Sequence, residues 1–182
     1  FGTKWGNYIL YMSTTRFTFR VGDGGSTFAL NHDAANSNGN QMYGGLRMML
    51  DVYLGNKADL DQAFLTFRRY TGDRSVGPNS TFNSGAQTWI HDLAKPVGIN
   101  PIGAKCHDKN YPADGAIPND QGRGGSCPAN PNTVPGATGY PWQGLQGAFA
   151  QAMVLERQGY KDPQGNNPWQ INDQALLRAA QY

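Results

Sequence analysis

Charge is scarce in this sequence, and acidic side chains are almost all aspartates: 15 % of the 182 residues are charged and Glu156 is the only glutamate. The net charge of +2 is spread over 15 basic and 13 acidic residues without a basic run. That distribution excludes nucleic-acid binding by bulk charge, so an anionic ligand must be gripped locally. No apolar stretch approaches the ~20 residues of a membrane helix, and no charged-then-apolar leader opens the chain. The sequence has no His-x-x-x-His or Cys-x-x-Cys and no acidic cluster at metal-ligand spacing, so neither a metal nor a cofactor is expected. A serine nucleophile elbow and a phosphate-cradling loop are also missing.

What the sequence does have is 24 glycines, 12 % aromatics and many asparagines and tyrosines. That low-charge polar profile suits an extracellular chain, and the expectation is a mature, soluble protein, secreted or periplasmic, with any signal already removed. Cys106 and Cys127, the only cysteines, lie in a segment dense in Gly, Pro, Asn and Asp. A disulfide fits them better than a metal site or two free thiols. The length suits one domain over residues 1–182 with one core.

Apolar spacing predicts mostly helix. Trp5, Tyr8, Ile9, Met12 and Phe19 suggest a helix over 4–21 closed by Gly22. Met42, Leu46, Met49, Leu50 and Tyr53 mark a second, ended by Gly55 and Asn56. Leu60, Ala63, Phe64 and Phe67 continue over 58–70 as the other arm of a helical hairpin. Residues 71–140 break the pattern, with a short apolar stretch at Trp89 and Ile90 and a possible extended piece at 97–102. A loop of that length tends to carry function, so the chemistry is expected there. Trp142, Leu145, Phe149, Ala152 and Leu155 predict a helix over 142–158, and Asn172 begins a last one through Ala175, Leu176 and Ala179. Both ends look cut, which suggests a segment of a longer chain that associates with the remainder or with further copies.

Each of the three histidines precedes an aspartate: His32-Asp33, His91-Asp92 and His107-Asp108. Neighbouring side chains diverge on both helix and strand, so the dipeptide is not itself a catalytic pair. A two-carboxylate glycosidase would have to draw on aspartates such as Asp92, Asp114 and Asp120. The long loop also offers Arg123 between glycines, followed by Tyr140-Pro141-Trp142 at a helix start. An arginine with small neighbours can meet a carboxylate bidentately, and a cation beside a tyrosine favours the phenolate. Those are parts for proton abstraction next to a carboxylate.

The runs DGAIPNDQGRGG, GYPWQGLQGAFAQAMVLERQGY and WQINDQALLRAAQY resemble the alginate-lyase-like family of helical-toroid polysaccharide lyases. So do GNQMYGGLRMMLDVYLGNKADLDQAF and FRRYTGDRSVGP, and together these segments span well over half the chain. The resemblance implies a mainly α fold, an incomplete (α/α) toroid of helical hairpins with a long disulfide-stapled loop, that cleaves an acidic, uronate-containing polysaccharide by β-elimination. It further implies an Asn-His pair, an Arg and a Tyr. Arg123 and Tyr140 match two of these and Asn40 is the nearest match to the Asn. Gln41 follows Asn40, so the histidine is sought at His32, in Asn31-His32, or at His91. Tyr43, Trp89, Trp142 and Gln143 complete the expected substrate-binding set. Two alternatives stay open: a non-catalytic secreted module binding glycan through Trp5, Tyr43, Trp89 and Trp142, and a glycoside hydrolase built on aspartate pairs.

Overall fold

The computed structural model describes residues 28–34, 37–76, 85–107, 109–130 and 132–182; the helix expected over 4–21, with Trp5, lies outside them. The described part is mainly helical, with six α-helices and no strand: α1 (Phe28–Ala34), α2 (Asn38–Leu54), α3 (Lys57–Tyr70), α4 (Pro118–Gln121), α5 (Gly139–Arg157) and α6 (Ile171–Gln181). Short 3-10 turns cover Ala86–Trp89 and Gly122–Gly124.

Local signals account for the helix ends. Ser37 caps α2 by accepting the Asn40 N–H, while the Asn40 side chain accepts the Ser37 N–H in return. Gly55, at φ 68°, ends α2 in the left-handed conformation. Asn56 then caps α3, whose first turn carries Asp59 and whose last turn carries Arg68 and Arg69, the arrangement that suits the helix dipole. With only Gly55 and Asn56 between them, α2 and α3 form the expected hairpin.

The apolar stripe that marks α2 in the sequence does not face the core. Met42, Leu46, Met49 and Tyr53 are about half exposed, and the buried face instead holds Gln41, Gly44, Gly45, Arg47, Met48 and Asp51. The cause is a close crossing with α5. A Cβ on Gly147 would stand 2.4 Å from the backbone carbon of Gln41, and one on Gly45 would stand 3.2 Å from Ala150 Cβ. Such an approach leaves room for glycine and for polar groups that satisfy one another, and α2 supplies both. The main apolar core lies beside this crossing, where Met48, Phe67, Tyr70, Leu145, Leu155 and Leu176 come together.

The long loop is also more ordered than its composition suggests. The Cys106–Cys127 disulfide is formed and packs with Trp89, Tyr111, Ala113 and Ala116 in a second small core. Trp89 meets Tyr111 edge to face at 6.1 Å, and its indole N–H donates to the Gly125 carbonyl at 2.9 Å. Cys106 N–H donates to Tyr111 O at 3.0 Å and Ala113 N–H to Ala104 O at 2.8 Å, flanking an isolated antiparallel bridge between Lys105 and Pro112. The piece expected to be extended at 97–102 forms no ladder. It docks by single bonds, Ile99 N–H to Tyr70 O at 2.8 Å and Asn100 N–H to Ala116 O at 2.9 Å.

Candidate functional site

Two polar clusters stand out, one closed and one open. The closed cluster fixes α1 against α2, α3 and α5. Arg47 Nη1 donates to His32 Nδ1 at 3.2 Å, which leaves the His32 Nε2–H to donate to Gln151 Oε1 at 3.0 Å. Gln151 Nε2 in turn donates to both the backbone and the side-chain oxygen of Gln41. Arg47 also forks onto Asp59, at 2.9 and 2.6 Å, and reaches Asp33 at 2.8 Å, where Thr66 donates as well. Burial, aided by the Arg47 charge, holds the His32 pKa down at about 4, so the ring is neutral. The sequence placed His32 among the reacting groups, whereas the structure gives it two buried partners and no exposure.

The open cluster forms where the N-termini of α2 and α5 meet the end of α3 and the glycine-rich turn after α4. The Arg123 guanidinium carbon lies 4.5 Å from the centre of the Tyr140 ring, over its face. Both residues are accessible, Tyr140 at 45 % and the Arg123 side chain at 32 %. Alongside, Asn38 Nδ2 donates to Gln143 Oε1 at 2.6 Å on the surface. The turn that carries Arg123 is glycine-flanked for a steric reason. A Cβ on Gly122 would sit 2.4 Å from the Ala86 nitrogen, and one on Gly124 would sit 2.2 Å from the Ala137 nitrogen. Neighbouring backbone closes on the turn at both points and leaves Arg123 as its one long side chain.

Beneath this patch lies Asp120, fully buried. Its Oδ1 accepts the Asn38 N–H at 3.1 Å and is 3.8 Å from Arg123 Nε. Its Oδ2 has no hydrogen-bond partner among the described residues, and the same holds for the buried Tyr70 hydroxyl. Both atoms abut Gly144, where an added Cβ would be 3.0 Å from Asp120 Oδ2 and 3.3 Å from Tyr70 Oη. Burial pushes the Asp120 pKa up to about 7, against the downward pull of the Asn38 N–H and Arg123. Burial, with Asp120 adding to it, keeps the Tyr70 hydroxyl protonated well above the usual phenol range.

The structure therefore brings together Arg123, Tyr140 and Gln143 of the expected set, sets beneath them Asp120, one of the three aspartates considered for a hydrolase, and adds Asn38 and Tyr70. Trp142, 53 % exposed, walls a mainly apolar cleft of about 160 Å³ with Ile117, Pro141 and Tyr182. Tyr43 is half-buried on α2. Asn40 is spent on the α2 cap and on a bond from its Nδ2 to the Asn31 carbonyl. Its amide holds the α1–α2 turn. Trp89 is 1 % exposed in the disulfide core, so its ring cannot stack on a sugar. His91 is exposed, its Nδ1 3.3 Å from the backbone of Lys105, on the disulfide side of the loop. His32 bonds α5 at Gln151, eleven residues and about 16 Å along the helix from Tyr140. Two aspartates proposed for a hydrolase are engaged elsewhere, Asp92 with Arg74 and Asp114 with Arg178. Among the described residues no cluster of three or more His, Cys, Asp or Glu could hold a metal, and no helix is long and apolar enough to cross a membrane.

Asn38 escaped the sequence reading because its neighbour Asn40 fits the same resemblance. The one available signal was its place directly after the Ser37 cap, which puts it at a helix N-terminus. No family model, curated protein or solved structure matches the chain.

Proposed function

We propose that this chain is a secreted or periplasmic lyase that cleaves a uronate-containing polysaccharide by β-elimination on an incomplete (α/α) toroid. The observation that carries the reading is the exposed stack of Arg123 on Tyr140. β-Elimination needs the substrate carboxylate neutralised so that the proton on its neighbouring carbon becomes acidic, then a base at that proton and an acid at the leaving oxygen. Arg123 supplies the positive charge, and the surface amides of Asn38 and Gln143 supply donors beside it. The Tyr140 oxygen takes the C5 proton and returns it to the glycosidic oxygen as the C4–O bond breaks, leaving a C4=C5 double bond in the product. Trp142 offers a sugar-stacking face next to the patch. The disulfide is consistent with a compartment outside the cytoplasm.

The test is to incubate the protein with alginate, polyglucuronate, hyaluronan and pectin-type polymers and follow the ultraviolet absorbance of the unsaturated uronyl product. A rise with one polymer, abolished in Tyr140→Phe and slowed but still measurable in Arg123→Ala, supports the lyase.

A second reading is a glycan-binding module of lyase-like descent. It is favoured by one observation: His32 is fully buried and bonded to Gln151, three turns along α5 from Tyr140. A flat trace across the panel from folded protein, with acidic glycan still bound and binding lost in Trp142→Ala, selects it.

A further inference from the structure

We propose that Asp120 is the positioning residue of this site, tying the start of α2 to the Arg123 guanidinium and so fixing that cation over Tyr140. The inference deepens the β-elimination reading and rests on it for the reaction served. A single buried oxygen, Asp120 Oδ1, accepts the backbone N–H of Asn38 and faces Arg123 Nε. Asn38 carries the amide that holds Gln143, and Arg123 covers Tyr140. All four members of the patch thus trace back to one carboxyl. Without it, Arg123 would be a long side chain on a short turn, free to sample rotamers. A negative charge below the guanidinium selects the rotamers that lie over Tyr140.

The second oxygen argues against a purely structural part. A carboxyl kept only for stability would have both oxygens bonded, because a buried acceptor without a donor costs free energy. Among the described residues Asp120 Oδ2 and Tyr70 Oη have no partners beside Gly144. That cost persists in the fold at the point where the carboxyl meets Arg123.

The groups that face Asp120 are the Tyr70 hydroxyl from α3, the Asn38 N–H at the start of α2 and Arg123 from its own segment. Burial places its titration near pH 7, so the hold on Arg123 changes within the neutral range.

The experiment is a double-mutant cycle with Asp120→Asn and Arg123→Ala, reading kcat/KM on the polymer that the protein cleaves. Asparagine keeps the Oδ1 acceptor and the shape and removes the charge, so the fold is retained. Asp120→Asn is expected to lower kcat/KM by up to about 100-fold, the scale of loss for a misplaced reacting group. The same change should cost less than about twofold when Arg123 is already alanine. The pH profile of wild type should carry a limb near neutrality that Asp120→Asn lacks. An equal loss in both backgrounds, or wild-type kcat/KM in Asp120→Asn, overturns the proposal.

If wild type cleaves none of the polymers, the lyase reading falls by itself, and the Nε–H resonance of Arg123 in labelled protein decides the positioning role. An ordered signal in wild type that becomes averaged in Asp120→Asn sustains the role, and an identical signal in both refutes it.

Discussion

His32 donates from Nε2 to Gln151 Oε1 at 3.0 Å, joining the first described helix to the middle of α5 across the α2 crossing. Both ring nitrogens are engaged and the ring is neutral, so protonation would break the Arg47 bond and bury a charge next to a guanidinium. The unfolded chain takes up the proton at the ordinary histidine pKa of about 6.5, the folded chain only near 4. Between those values the unfolded state holds more protons, so this group's stabilisation is complete above about pH 6.5 and is lost as pH falls through 4. Its full size is on the order of 3 kcal/mol.

Asp51 and Asp120 act in the opposite sense, because burial raises both to about 7. Their folded forms hold protons that the unfolded chain releases, so their contribution is present below about pH 4 and is lost as pH rises through 7. With two groups acting one way and one the other, wild-type stability is expected to fall with rising pH between about 4 and 7. His32→Gln should steepen that decline, and Asp120→Asn, which leaves His32 to offset Asp51, should nearly level it. Urea denaturation midpoints across that range check both slopes, and parallel curves for the three proteins would contradict the assignment.

The disulfide gives an independent prediction. It closes a loop of sequence separation 21 in a segment whose own core is small. Reduction, or the Cys106→Ala/Cys127→Ala pair, should lower stability by about 3 kcal/mol. Because Trp89 packs on this bridge and donates to Gly125, its emission should shift to the red with reduction before the main helices melt. Simultaneous loss of helix and tryptophan environment would mean that the two cores unfold as one.

The α2–α3 hairpin, α5 and α6 were legible in the sequence because apolar spacing and the Gly55-Asn56 break agreed, and the paired cysteines signalled the disulfide, whereas α1, in a polar stretch, and the four-residue α4 were not legible. Which face of α2 is buried was not. Spacing of Met42, Leu46, Met49 and Tyr53 pointed the apolar stripe inward, but Gly147 against Gln41 decided the contact, and that approach joins residues far apart in sequence. The same reason explains the site. Arg123 and Tyr140 could be singled out from their local surroundings, whereas Asp120 and Asn38 are significant only because folding sets them 3.1 Å apart. A capping asparagine and a core tryptophan look, in one dimension, like binding residues, and the structure places Asn40 in the α2 cap and Trp89 in the disulfide core.

Gly147 supplies a direct test of the crossing. In Gly147→Ala the new methyl would meet the Gln41 carbonyl carbon at 2.4 Å, and rigid backbone cannot step aside as a side chain can. The helices must separate, at a cost of about 1–3 kcal/mol. Gly139→Ala, at the first position of the same helix with nothing within 4 Å of its Cβ, should stay within about 0.5 kcal/mol of wild type. Thermal denaturation of the two variants separates close approach from helix propensity, since propensity alone favours alanine in both.

The start of α6 holds the last prediction. Asn172, Asp173 and Gln174 take φ values of 49°, 54° and 58°, a left-handed turn without a glycine. Each such residue costs roughly 1–2 kcal/mol relative to the right-handed conformation. Arg178 offsets the strain by donating from Nη1 to the carbonyls of Asn172 and Asp173 and from Nε to Asp114 at 2.8 Å. Asp173 is exposed, and the Arg178 bond uses its backbone carbonyl, so Asp173→Gly keeps the bond and removes the Cβ conflict. It should raise stability by about 1 kcal/mol despite the added freedom of the unfolded chain. Asp173→Val should lower it, because a β-branched side chain tolerates positive φ least. Arg178→Ala should remove the clamp and release the turn, read as faster amide exchange at 172–174. Unchanged exchange there would show that the turn is held by its other contacts, among them the Asn172 Nδ2 bond to the Thr71 carbonyl at 3.2 Å.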